Sequence, residues 1–352
     1  MFYTGAVKQP WDERNYIFEE RMGAVEIDWE KGYDVRNDLG GHIFLKNQFR
    51  SSSCVSQAWS YDVWKFQVLE MQNKYGLNLE ELRIKYPEEV QEVSPKSIYP
   101  FIRLEGGGAY IGAGAKQICT VGSLFEETLP SHKEDGMTDE DFLSDKSWWN
   151  DEMAKIAKIL SGKEYNIIRS QDKIDLFAQA ILLNKGIVSG VEGENNNSWL
   201  TEFPQPPINK IWGHALWFGA FGIKDGKKFV ASPNSWGEMN FNRDYRWKQG
   251  DPIGEGWQKI TEDYFNSHNG DDIFDPWTYS DKPNEDMLEL IQGDKPEVYA
   301  VGKDELLYHV YNEATFNKGR SMGLWGDWSS IKKVTQEVIN LKSKGNSLAF
   351  LI

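Results

Sequence analysis

Two cysteines and five histidines are the side chains most able to do covalent chemistry in this sequence. A thiol is mostly protonated at neutral pH. It becomes nucleophilic at a helix N-terminus, beside an imidazole and with partial exposure. Cys54 meets the first condition, because CVSQAWSYDVWKFQVLEMQNKYG places Val55, Trp59, Val63, Phe66 and Met71 at helical spacing. Three serines precede Cys54 and could cap that helix, and Gly76 suits its end. Helix-end amides favour a thiolate there; the alternative is a small hydrophobe buried at a helix start. Cys119 lies in the apolar run AKQICTV with no charged partner nearby and reads as core. His214 opens the apolar stretch GHALWFGAFGI, either as a satisfied core group or as a base aimed into a cleft. His42, His132, His268 and His309 sit in polar or mixed segments and read as surface or structural residues.

The elements that must position these groups fall into a clear order. Residues 1–33 read as a strap of strand and loop, and residues 34–53 as mostly loop before the Cys54 helix. Gly106, Gly107 and Gly108 form a bend ahead of AYIGAGAKQICTV, a small-residue helix suited to close packing. Residues 130–150 are acidic and read as a solvated loop or short helix; residues 172–185 read as helix. After Gly186 the short runs IVSGVEG, HALWFGAFGI and KKFVASP are β-prone, with turns at Glu194–Asn197 and Lys224–Gly226. Helices first and strands second predict an α+β fold of two lobes. Residues 271–295, polar and holding Pro276 and Pro283, read as a linker. Beyond it, 296–352 reads as a small module, with EVYAVG and LLYHVY as a hairpin and an amphipathic segment near Ile331–Ile339.

Composition narrows the chemistry. The formal net charge of −15 repels phosphate backbones and anionic lipid, so nucleic acid and membrane surfaces are not expected partners. The apolar stretch Gly213–Ile223 is too short to span a bilayer. MFYTGAVKQPWDERNY has no basic end followed by an apolar run, so a soluble chain without a signal peptide is expected. Two cysteines exclude a disulfide framework and a four-cysteine zinc site, and neither HExxH nor CxxC occurs. No metal or cofactor is expected.

Five motifs in one order resemble the papain-like cysteine peptidases, in their bacterial or phage-type branch. KNQFRSSSC resembles the nucleophile region, with Gln48 six positions before Cys54. GHALWFGAFG resembles the histidine strand, and PNSWGE the Asn-Ser-Trp-Gly motif. PWDERNYIFEE and DVR resemble the upstream strap, and GGAYIGAGAKQICTVGSLFEETLP the glycine substrate wall and its helix. GEGWQKITEDYF resembles the closing strand, so the likeness runs from about Trp11 to Phe265. The chain departs from the pattern in three places. Ser51 stands where the family has a disulfide cysteine, its partner near Glu105 is missing too, and Val55 replaces the usual Trp.

The resemblance implies a helical lobe plus a β-barrel-like lobe, and hydrolysis of peptide bonds through an acyl-enzyme thioester. Cys54 would be the nucleophile and His214 the base, paired as thiolate and imidazolium. Asn234 would orient His214 under the cover of Trp236, and Gln48 would donate into the oxyanion hole. Gly107, Gly108 and Gly213 would bind an extended polypeptide substrate. A cell-wall hydrolase cutting peptidoglycan stems and a silent papain-fold binding scaffold are the alternatives. Activity is expected either as made or restrained by the strap or the tail.

Overall fold

A computed structural model gives the fold over residues 5–12, 15, 17–21, 25–162, 164–170, 173–238, 245–280, 289–295, 297–301, 307–310 and 331–341. Parts of the strap motif (Glu13, Arg14, Tyr16) and residues 311–330 of the C-terminal module lie outside the described residues. The chain divides into two compact units. One holds Met1–Asn15 and Val25–Asp281, the other Tyr16–Ala24 and Lys282–Ile352.

Helix α1 (Cys54–Tyr75) starts at the cysteine and ends at Gly76, whose left-handed backbone (φ 66°) closes it with an amide bond to the Gln72 carbonyl. Every residue from Cys54 to Lys65 is buried. The apolar spacing read from sequence therefore marks only part of a helix that runs through the interior. Several of its buried polar side chains are hydrogen-bonded. Ser56 and Ser60 hydroxyls donate to the Ser53 and Gln57 carbonyls at 2.9 and 2.8 Å. Lys65 Nζ donates to Asp62 Oδ1 and to the Asn184 carbonyl, both at 2.7 Å, and Trp217 Nε1 donates to Asp62 Oδ1 at 2.7 Å. Burial pushes the Asp62 carboxyl up and Lys65 opposes it.

The capping expectation needs correcting. Ser53 occupies the N-cap but its side chain makes no capping bond; its hydroxyl instead meets Ser51 Oγ at 2.8 Å and accepts from Gln57 Nε2 at 3.3 Å. Helix α2 (Ile111–Thr120) does pack closely. A Cβ on Gly114 would lie 2.3 Å from Trp59 Cδ1, and one on Gly112 2.7 Å from Trp277 Cζ2. Cys119 is not full core: it lies in the last turn of α2 and is only half-buried, beside the buried Gln117 and Ile118.

The strands of the first unit are β1 (Ala6–Val7), β2 (Tyr33–Asp34), β3 (Ala109–Tyr110), β4 (Glu164–Ile167), β5 (Ile187–Gly193), β6 (Trp212–Phe218), β7 (Ala220–Lys224), β8 (Lys227–Ser232), β9 (Gln258–Thr261) and β10 (Ile273–Ser280). Helix α3 (Ile174–Asn184) packs across β5, β7, β8 and β10. Two four-stranded sheets run β4-β10-β5-β6 and β2-β7-β8-β9. HALWFGAFGI is thus two strands, because Gly219 turns the chain from one sheet into the other. The lobe is open, not closed into a barrel, since no ladder joins β6 to β7.

The linker reading of 271–295 also fails over Ile273–Ser280, which is β10 in the middle of a sheet. Asp275 (φ 47°) and Pro276 broke the alternation, and both lie where the β10–β5 register shifts between Phe274 and Trp277. A bulge tolerates a residue without an amide hydrogen. The second unit pairs β11 (Glu289–Gln292), β12 (Val298–Val301) and β13 (Leu307–Val310) as antiparallel neighbours, with β14 (Lys332–Lys333) parallel to β11. The expected hairpin is β12–β13, and Ile291, Leu307 and Ile339 form its core.

Removing one partner of a buried ion pair costs about 3–5 kcal/mol, because the remaining charge is stranded. Lys65→Met should therefore lower unfolding stability by about 3 kcal/mol in urea titrations. The deficit should shrink as acid neutralises Asp62.

Candidate active site

The four residues singled out by sequence arrive from four segments. Cys54 comes from the start of α1, His214 from β6, Asn234 from the turn after β8, and Gln48 from the loop before α1. All four are at most 2% exposed. Asn234 has left-handed backbone (φ 58°), which asparagine tolerates better than most residues. Its Oδ1 lies 2.8 Å from His214 Nε2 and accepts the Ser235 amide at 2.6 Å, while its Nδ2 donates to Gln258 Oε1 at 2.5 Å. Gln258 Nε2 in turn donates to the Trp199 carbonyl at 2.6 Å. These partners fix the amide so that its oxygen faces the ring, and a bond to that oxygen requires the proton on Nε2. The other nitrogen, Nδ1, is then the basic one, and it is buried with no hydrogen-bond partner.

Trp236 stacks on the His214 ring at 4.3 Å and 23°, and Trp199 and Trp212 meet both rings edge-on. Trp236 is half-buried. The three tryptophans thus box the His214 ring beside its bond to Asn234. Gln48 is held at both ends: its amide donates to the Ser235 carbonyl at 2.8 Å, and its Oε1 accepts from Ser235 Oγ at 2.7 Å. Its Nε2 donates to the Ser51 carbonyl at 3.0 Å. The bridge Asn47–Trp236 runs alongside, so the Gln48 loop and the Asn234 turn are joined backbone to backbone.

The glycine wall has φ of 90°, 98° and 73° at Gly106, Gly107 and Gly108, a conformation only glycine adopts freely. The Glu140 carboxylate ties this wall to the nucleophile loop. It accepts the Ser52 amide at 2.8 Å, Tyr99 Oη at 2.6 Å and Arg103 Nε at 2.7 Å. Tyr99 Oη also accepts the Gly108 amide at 3.1 Å. The two segments that lack their cysteines are thus joined by charge-assisted hydrogen bonds.

The cleft already holds a strand. β1 pairs in parallel with β3, Ala6 opposite Ala109, and the Ala109 amide donates to the Gly5 carbonyl at 2.7 Å. A Cβ on Gly213 would lie 2.4 Å from the Ala6 oxygen, and one on Gly108 2.4 Å from the Gly5 oxygen. Gly108 and Gly213 therefore do flank an extended chain, whereas Gly107 faces Glu140 and Ser52. The strand is anchored further on by the Gln9 amide on Asp275 Oδ2 at 2.5 Å and by a Lys8–Asp271 ion pair. Burial pushes the Cys54 thiol up to about 11, against the opposing backbone amides of Ala215, Gly5, Val55 and Ala6. Burial likewise lowers His214 to about 4. Burial under this strand thus disfavours the charged form of each group.

No protein-family model and no curated protein matches the sequence. Solved structures do. The chain is similar to xylellain, a cysteine protease from Xylella fastidiosa, at 17% identity over 80% of this chain and 96% of that one, with a TM-score of 0.55. Procathepsin B S9 from Trypanosoma congolense matches at 11% identity over 79% of this chain and 86% of that one, TM-score 0.50. The fold is papain-like. Within this papain-like fold, Gln258, Glu140, Trp199 and the covering Gly5–Val7 strand were not singled out in the sequence. Only Gln258, inside GEGWQKITEDYF, stood in a motif at all. Among the described residues no cluster of three or more His, Cys, Asp or Glu could hold a metal, and no helix is long and apolar enough to cross a membrane.

The alkylation rate of Cys54 by iodoacetamide should keep rising through pH 9 and reach half-maximum near pH 11, where the buried thiol ionises. A midpoint near pH 8–9, ordinary for a free thiol, would mean the strand does not desolvate it.

Proposed function

We propose that this chain is a cysteine peptidase, held latent by its own N-terminal strand. The observation that carries the reading is the His214–Asn234 hydrogen bond, which leaves Nδ1 as the basic nitrogen, beside the Gln48–Ser235 clamp and with Cys54 against the backbone of Ala215, the neighbour of His214. Once β1 leaves, water and substrate reach the pair. Cys54 then gives its proton to Nδ1 and attacks a peptide carbonyl as the thiolate. Helix-end amides and the hydrated imidazolium stabilise that thiolate. The oxyanion forms where the Cys54 amide and the Gln48 side chain can donate to it. His214 returns its proton to the leaving amine, and then activates water to cleave the thioester. Asn234 holds the ring through both steps, itself held by Gln258.

The test is intact-mass analysis after treatment with a peptide-like epoxide. A single adduct on Cys54, lost in His214→Ala, supports the activated pair; equal labelling in both proteins, or labelling of Cys119, sinks it. One oxyanion donor is worth about 3 kcal/mol, so folded Gln48→Ala should turn over substrate about 100-fold more slowly. An unchanged rate would remove Gln48 from the site.

A further inference from the structure

The covering strand measures the width of the cleft, and what it measures bears on substrate class; this step rests on the peptidase reading. Two glycines on one face of the β5–β6 ladder lie beside Cys54. Gly190 is paired with Ala215, and Gly213 lies two residues before Ala215 on the same face. One ring fills the space a side chain on Gly190 would take and lies behind the Ala6 oxygen at the space of Gly213. Phe274, paired with Gly190 across β10 and β5, would be met at 2.2 Å by a Cβ on Gly190 and at 3.1 Å by a Cβ on Gly213. Phe274 is 1% exposed. Its backbone is pinned where the β10 register shifts, with its carbonyl accepting Ser189 Oγ at 3.0 Å.

The opposite side of the cleft is equally tight. A Cβ on Gly5 would lie 2.1 Å from the Ser52 carbonyl oxygen, far inside contact distance. Ser52 cannot give way freely, because its amide is held by Glu140. The occupant of this slot is accordingly Gly5 followed by Ala6.

We infer that the cleft selects substrates with glycine and alanine at the two residues lying between Ser52, Gly108 and Gly213, and that Phe274 is the residue imposing it. Leucine or an aromatic residue at these positions meets the Phe274 ring or the Ser52 carbonyl. Gly/Ala-rich segments of polypeptide are therefore the substrate class.

The experiment compares two peptidyl vinyl sulfones, one carrying Ala-Gly next to the reactive carbon and one carrying Leu-Leu, on the full chain, with adducts read by intact mass. Opening of β1 precedes either reaction and multiplies both rates alike, so their ratio reports the slot alone. Ala-Gly should label Cys54 at least about tenfold faster. Phe274→Ala should raise the Leu-Leu rate at least about tenfold relative to the Ala-Gly rate. Leu-Leu labelling as fast as Ala-Gly in the unmodified chain overturns the inference, as does a folded Phe274→Ala protein with an unaltered ratio. If the variant fails to fold, the unmodified ratio still decides. Failure of both probes to reach Cys54 at all, with the thiol still alkylated by iodoacetamide, overturns the peptidase reading and this inference with it.

Discussion

The backbone clamp between the Gln48 loop and the Asn234 turn is the contact on which the site depends. Gln48 donates to Ser235, Gly237 donates to Lys46, and Asn47 bridges to Trp236. The loop feeds directly into α1 and so fixes where Cys54 begins; the turn carries the amide that orients His214. One short ladder therefore sets the positions of Cys54, Gln48 and Asn234 at once. The buried Asp62–Lys65 pair and the Trp217 bond to Asp62 then lock α1 against β6, where His214 stands. Misplacement of a reacting group by even 1 Å is costly in rate, which explains why so much buried polar structure surrounds four side chains.

Closure by β1 works through solvation as much as through obstruction. Cys54 and His214 have zero exposure with the strand in place, and burial moves their pKa values in the direction that disfavours both charges. Ionising the pair under the strand would place two charges in a poorly solvated space. On the proposed reading, the closed chain would lack both access and a nucleophile. The same backbone surfaces that would receive a substrate, the Ala109 amide, Gly108 and Gly213, receive the strand. Latency and recognition therefore share one set of contacts.

Much of this was legible in the residues, and the remainder hid for identifiable reasons. Cys54, His214, Asn234 and Gln48 sit in short contiguous motifs, so their types and order showed in the sequence, as did α1 with its Gly76 stop and the β12–β13 hairpin. Strand β10 did not show, because Asp275 and Pro276 at its register shift imitate a linker. The open sheet pair did not show because Gly219, inside an apolar run, is a turn between sheets only when both partners are known. Cys119 read as core from its neighbours, although its own position on α2 leaves it half-buried. Glu140, in an acidic stretch, and Gln258, inside the closing-strand motif, did not stand out because their partners lie 88 and 24 positions away. The covering strand GAV has no motif at all, and its role follows only from its place in the cleft.

The most direct test of a working site closed by its own strand is hydrolysis of an unfolded protein substrate by the full chain and by Gly5→Val. Valine at position 5 would collide with the Ser52 carbonyl, and overpacking of this kind costs about 1–3 kcal/mol. The strand should leave and turnover should rise about tenfold or more. Equal or lower turnover in a folded Gly5→Val protein would contradict closure by β1.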